Sequence, residues 1–265
     1  MTDNIQTLLN FLPQLWEGVQ TTLILTVLGS IGAVVIALVL GLAMTSTHRW
    51  LRVPARIIVE FFRGTSLLVQ LFWLFYVFPL LGVDLDPMVC GIGALALNYG
   101  AYSAEVVRSS IITVDKGQWE GAIALSLSPT RRMTRVIFPQ AWALMIPSLA
   151  TLLIQLLKGS AVVSFITLQD LTEKIDQLRQ STNDTYFSFT IGLIIYFVIA
   201  WLLQEFMNFL ERRATARLGR RRPNSRTDRR ATRRDAREAL RQDRLNSRLR
   251  GAGAGPGSGN AGGGL

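Results

Sequence analysis

Five stretches of this 265-residue chain hold no Asp, Glu, Lys or Arg: residues 18–47, 64–83, 87–104, 136–157 and 185–204. Each is about as long as the ~20 residues a helix needs to cross ~30 Å of hydrocarbon. With 49% apolar residues and a mean hydropathy of +0.31, the chain could form a large water-soluble core or a bundle solvated by lipid. The runs decide between them, because a soluble helix keeps a polar face for water and these five have no charged one. They predict an all-α integral membrane protein with five transmembrane helices, at about 18–46, 57–82, 87–109, 136–157 and 186–209, after an external segment, 1–17.

Orientation follows from the connectors. Arg49, Arg52 and Arg56 lie in the first connector, with Arg63 at the head of the second span, and Arg108, Lys116, Arg131, Arg132 and Arg135 in the connector from the third to the fourth. Basic connectors stay on the cytoplasmic side. The N-terminus with Asp3 and Glu17, the loop "LGVDLDP" and the segment 164–184 are acidic or poor in basic residues. The N-terminus is therefore expected outside and the C-terminus inside. An acidic start and a long first apolar run argue against a cleaved signal peptide.

The net charge of +10 is a property of the tail: residues 211–265 hold 16 of the 28 Lys and Arg but only 5 of the 18 acids. This basic segment decays into the low-complexity end "GAGAGPGSGNAGGGL". Placed just inside a membrane, it is attracted to anionic lipid headgroups. No aromatic residue interleaves its arginines, so nucleic acid is not expected as a partner.

Catalytic patterns are missing. His48, the single histidine, reads as an interfacial polar residue, and Cys90, the single cysteine, has no intrachain partner. Neither "GxSxG" nor "HExxH" occurs, no metal cluster can be drawn, and no "GxxxxGK[ST]" supplies a phosphate loop. No catalytic residue, metal or cofactor is expected in this chain. If ATP and its magnesium are used, another chain binds them.

The connector "GQWEGAIALSLSPTRRMTRVIFPQA", 117–141, carries helix signals but is too charged for lipid. Asp115 with Gln118 three residues later has the spacing of a capping box. Ser128 and Pro129 suit a second N-cap and first helical position. Two short helices are expected, lying across the cytoplasmic face within about 115–138. Trp119, Ala122, Ile123 and Leu127 recur at helical spacing, a stripe that could bury against this chain's own bundle or against another protein.

These residues resemble a known family. Glu120, Gly121, Ala122, Ser126 and Pro139 fall on the spacing of the EAA loop, E-A-A-x3-G-x9-I-x-L-P, of the membrane subunits of bacterial ABC importers. "FFRGTSLLVQLFWLFY", "NYGAYSAEVVRSSI", "KGQWEGAIALSLS", "VIFPQA" and "LLKGSAVVSFITLQDLT" look like the polar-amino-acid branch, closest to permeases for ectoine and hydroxyectoine, and the likeness spans residues 12–212. Gly121 replaces the first Ala, Ser126 the turn Gly, and Val136 and Phe138 the Ile and Leu. The resemblance implies a type I importer permease of MetI-like fold in the bacterial inner membrane. It also implies a dimer of ATPase subunits gripping Glu120, Gly121, Ala122, Ser126, Leu127 and Pro139, a second permease subunit, identical or related, and an external solute-binding protein.

Polar residues within spans are costly and mark candidate solute contacts. Asn98, Tyr102 and Glu105 share one face of the third span at i, i+4 and i+7. Gln155, Lys158 and Ser160 flank a break, "KGS", in the fourth. Gln70 and Thr65 are further candidates in the second. Each has a bland alternative: Asn98 an interhelical hydrogen bond, Glu105 a pair with Arg108, Lys158 snorkelling to the interface. "LQDLTEKIDQLRQ" is expected to be a short external helix facing the binding protein. A channel or secondary transporter working without an ATPase is the competing class, opposed by the exposed loop and the lack of visible internal repeats.

Overall fold

The computed structural model describes residues 2–217, and these are helical nearly throughout. The helices are α1 (Thr2–Thr45), α2 (Arg49–Gly64), α3 (Leu67–Phe72), α4 (Pro87–Thr113), α5 (Lys116–Ala124), α6 (Pro129–Arg132), α7 (Phe138–Gly159), α8 (Leu171–Thr182) and α9 (Thr185–Arg217). A π-helical turn, Trp73–Val77, extends α3; another, Met133–Ile137, joins α6 to α7; and a 3-10 helix, Ser160–Ile166, follows α7.

By length and composition, α1 over Asn4–Thr45, the run Pro129–Ile166 through α7, and α9 over Thr185–Leu210 are long and apolar enough to cross a membrane. The pair Arg49–Gly64 and Leu67–Val77 passes the same test only together, bent by 103°. The second span, expected as one helix over 57–82, is thus broken at Thr65 and Ser66. Gly64 is the last residue of α2, and the two residues between the helices, Thr65 as its C-cap and Ser66 as the N-cap of α3, are both in extended backbone.

α4 is not among the apolar candidates, although its run holds no charge before Glu105. Its place explains its composition: 13 of its 27 residues are buried, Asn98, Ser103 and Ser110 among them, against neighbouring helices. Small residues let α1 approach it closely. Gly29, Ala33, Ala37 and Gly41 recur every fourth residue on α1, as Ala96, Gly100 and Ala104 do on α4. A Cβ at Gly41 would stand 2.6 Å from Val107 Cβ, and one at Gly100 2.9 Å from Ile36 Cβ. This is the small-residue packing by which helices associate where no hydrophobic drive exists between them.

Residues 1–17, expected as an external N-terminal segment, are helical from Thr2 and form the first part of α1. The cause is α8: Leu171, Ile175 and Leu178 bury against Leu15 and Val19, and a Cβ at Gly18 would touch Lys174 Cγ at 2.8 Å. Asn4 Nδ2 donates to Asp184 Oδ2 at 3.1 Å, tying the start of α1 to the turn before α9. Asp170 caps α8, its Oδ1 accepting from Glu173 N at 3.0 Å, while Leu171 N donates to Thr22 Oγ1 at 3.1 Å. The basic tail expected from 211 begins as a continuation of α9 to Arg217. The rest of it lies outside the described residues.

Candidate functional site

The connector after α4 forms the two expected short helices. Asp115 Oδ1 accepts from Gly117 N at 2.7 Å, which starts α5. The reciprocal half of the capping box is not made: Gln118 Oε1 instead accepts from Gln140 Nε2 at 3.0 Å, fastening α5 to the start of α7. Ser128 Oγ accepts from Arg131 N at 3.4 Å, with Pro129 at the first position of α6.

Between the helices Ser126 takes the left-handed conformation, φ 52°. Leu127 N donates to Ala122 O at 3.1 Å and Ser126 N to Ile123 O at 2.8 Å, the two bonds of a Schellman cap, in which the left-handed residue is usually Gly. The turn keeps its usual geometry with serine in the glycine's place. A left-handed L-residue bears about 1–2 kcal/mol of steric cost that Gly avoids.

The apolar stripe divides between two surroundings. Ala122 is buried, and Trp119 packs beside the cluster of Val107, Ile111, Ile137 and Ala141, with the Arg132 guanidinium 5.7 Å from its ring centroid. Glu120 and Gly121 face outward, and nothing lies within 4 Å of where a Gly121 Cβ would stand. Ile123 is 57% exposed and Leu125 75%. Sequence spacing misses Leu125, because the helical step from Trp119 leads to Leu127 and passes over it. The seam that holds α5 to its own bundle is thus separate from the face it leaves open. Pro139 is exposed in the first turn of α7. It has no amide to give a carbonyl in the preceding turn, which is π-helical and carries Phe138 N to Met133 O.

The polar residues of the spans sort into three places. At the first, Asn98 Nδ2 donates to Phe62 O at 3.3 Å, Gln70 Nε2 to the same oxygen at 2.9 Å and to Thr65 Oγ1 at 2.7 Å, and Tyr102 OH to Arg63 O at 3.1 Å. These side chains satisfy the last carbonyls of α2, which the break deprives of intrahelical donors. At the second, Arg108 Nε donates to Glu105 Oε2 at 2.9 Å. At the third, Tyr99 OH donates to the backbone carbonyl of Gln155 at 2.8 Å, Ser160 is buried and bonded to Leu157 O at 2.7 Å, and Lys158 faces a groove against α9 with Tyr196 and Gln204. Asn98 and Lys158 contact different helices. The break that the polar groups gather around is at Thr65 and Ser66, signalled in sequence by "RGTS".

Residues 33–216 match the family model of the binding-protein-dependent transport system inner membrane component. The chain belongs to this family of transporter permeases. A probable amino-acid ABC transporter permease protein of Sinorhizobium fredii, y4tF, is 40% identical over 219 residues, covering 80% of this chain and 92% of its own length. The L-cystine transport system permease protein TcyB of Bacillus subtilis is 38% identical over 205 residues, 77% of this chain and 88% of its own. The crystal structure of an amino acid ABC transporter with histidines superposes with a TM-score of 0.73 at 33% identity, covering 78% of this permease and 97% of that chain. The all-helical permease fold is therefore the fold observed, in a multi-pass membrane protein whose part in the system is transport.

Proposed function

We propose that this permease is the membrane-spanning half of an ATP-driven importer for a polar amino acid or related small zwitterion, ectoine and hydroxyectoine included. The observation that carries the reading is the open face of α5: Glu120, Gly121, Ile123 and Leu125 point outward from a helix fixed at both ends, by Asp115 and by the Ser126 turn. A helix whose backbone bonds are internal moves as a rigid body when gripped. An ATPase dimer supplies the grip and holds ATP and magnesium, a second permease completes the pathway, and an external binding protein delivers the solute near α8. In this reading α4 completes a set of five spans in the inner membrane, with the arginine-bearing connectors inside.

The solute passes close to the broken second span. Asn98, Tyr102, Thr65 and Gln70 surround that break, and Gln155 and Lys158 of α7, with Ser160 at the start of the 3-10 helix that follows it, belong to a further part of the wall. The relatives named for amino acids support the solute class. The test is uptake by the complete system in proteoliposomes, with the binding protein and ATP present, across a panel of amino acids and ectoines. Competition by one of them supports the reading. Solute flux through the purified permease without the ATPase would replace it with a channel or secondary carrier.

A further inference from the structure

A cavity of ≈ 520 Å³ opens between the end of α1, the first half of α2, the end of α4 and α5, lined by Arg52, Arg56, Arg108, Thr45 and Trp119 among others. Arg108 is held by Glu105. Arg52 and Arg56 make no side-chain hydrogen bond or ion pair among the described residues. Glu105 is near enough to Arg56 to feel its charge but is bonded to Arg108, and with Glu60 acting on Arg108 as well the three guanidinium groups of the cavity still outnumber the carboxylates near them, an excess that a bound anion would offset.

The rest of α2 says what kind of anion. Arg49, Arg52, Arg56, Glu60 and Arg63 recur at i, i+3, i+7, i+11 and i+14, within an arc of about 80° at 100° per residue. Ala55 and Val59 form a second face, buried with Met44, Ala101 and Ala104. Trp50, Ile57 and Phe61 form a third, 92%, 64% and 61% exposed. A cationic strip runs along an uncovered apolar one. Guanidinium groups match phosphate oxygens in paired hydrogen bonds, and an apolar face beside them suits acyl chains, for which a free phosphate has no use.

We propose that this cavity binds the phosphate of an anionic phospholipid, whose acyl chains lie along the Trp50, Ile57 and Phe61 face. Basic pockets between membrane helices take such headgroups. Trp119 of α5 is part of the wall, so the bound lipid abuts the helix read above as the coupling element. The site goes beyond the transport reading and is tested without it.

The experiment is native mass spectrometry of the full chain in neutral detergent, with equimolar dioleoylphosphatidylglycerol and dioleoylphosphatidylcholine. One phosphatidylglycerol per chain is expected to be retained in preference. Arg52→Gln/Arg56→Gln should weaken that retention by about 30-fold, the effect of taking two basic residues away from an anionic headgroup. Arg52→Lys/Arg56→Lys, which keeps the charge, should preserve most of it, and this second variant decides the matter if the first melts early. Arg220→Gln/Arg221→Gln/Arg222→Gln in the basic tail should leave it intact. Unchanged retention in the Arg52→Gln/Arg56→Gln variant, or equal retention of phosphatidylcholine, overturns the proposal. Displacement of the lipid by millimolar inorganic phosphate would assign the cavity to free phosphate and overturn the lipid reading.

Discussion

The side-chain amide of Asn98, on α4, donates to the backbone carbonyl of Phe62, on α2, at 3.3 Å. It shares that oxygen with Gln70, from the helix beyond the break. Three elements therefore meet at one carbonyl at the point where α2 and the helix that starts at Leu67 are bent by 103°. An interhelical hydrogen bond in a membrane protein is worth about 0.6 kcal/mol on average, and Gln70 remains when Asn98 is removed. Asn98→Ala is expected to lower stability by about that much, measured by reversible unfolding in mixed micelles. If uptake falls more than about tenfold, which would need about 1.4 kcal/mol, Asn98 acts on the solute as well as on the helix end.

Ser126 makes a second prediction. Ser126→Gly removes the cost of a left-handed serine, and should stabilise the turn by about 1 kcal/mol. Hydrogen exchange of the amides of Leu125, Ser126 and Leu127 should slow correspondingly. Ser126→Val should speed it, since a β-branched residue tolerates this conformation least.

Asp170 predicts a dependence on pH. Burial pushes its carboxyl up to about 6, against the lowering effect of the bonds it accepts from Glu173 and Thr172. The folded state then holds a proton that the unfolded state has released between about pH 4 and about pH 6. Stability is greatest below about pH 4 for this group and falls as pH rises through about 6, by of the order of 3 kcal/mol. Asp170→Asn keeps an N-cap oxygen, so its melting temperature should be higher at neutral pH and flatter with pH. An unchanged slope in that variant would place the titration on another group.

Much of the fold is legible in the sequence because lipid imposes a simple rule on composition. The uncharged runs mark four of the long helices, and Ser128 with Pro129 marks a helix start. The break at Thr65 and Ser66 is not legible from hydropathy, since the apolar residues Ile57, Ile58, Val59, Phe61 and Phe62 before it run on into the uncharged stretch after it as if they were one span. The amphipathic strip of α2 is hidden for a related reason: its arginines read together as a connector's charge, and their periodicity matters only once the segment is helical. Asn98 and Tyr102 read as a polar face, but their common partner, the end of α2, exists only in three dimensions. The outward set Glu120, Ile123 and Leu125 could not be separated from the inward set Trp119 and Ala122 without knowing where α7 lies.

Glu120 is exposed and forms no ion pair among the described residues. Glu120→Lys is expected to leave membrane insertion and stability within about 0.5 kcal/mol of the parent, as for other surface substitutions. Solute uptake driven by ATP should nevertheless be lost. Normal uptake by this variant would count against a partner's grip on α5.

The most direct test of that grip is cross-linking of single cysteines along α5 to the ATPase in the assembled importer. Cys90, the only native cysteine, is buried and leaves little background. Cysteines at Gly121, Ile123 and Leu125 should cross-link to the ATPase, whereas a cysteine at the buried position Ala122 should not. Cross-linking at none of the three outward positions, in a complex that still imports solute, would contradict the account.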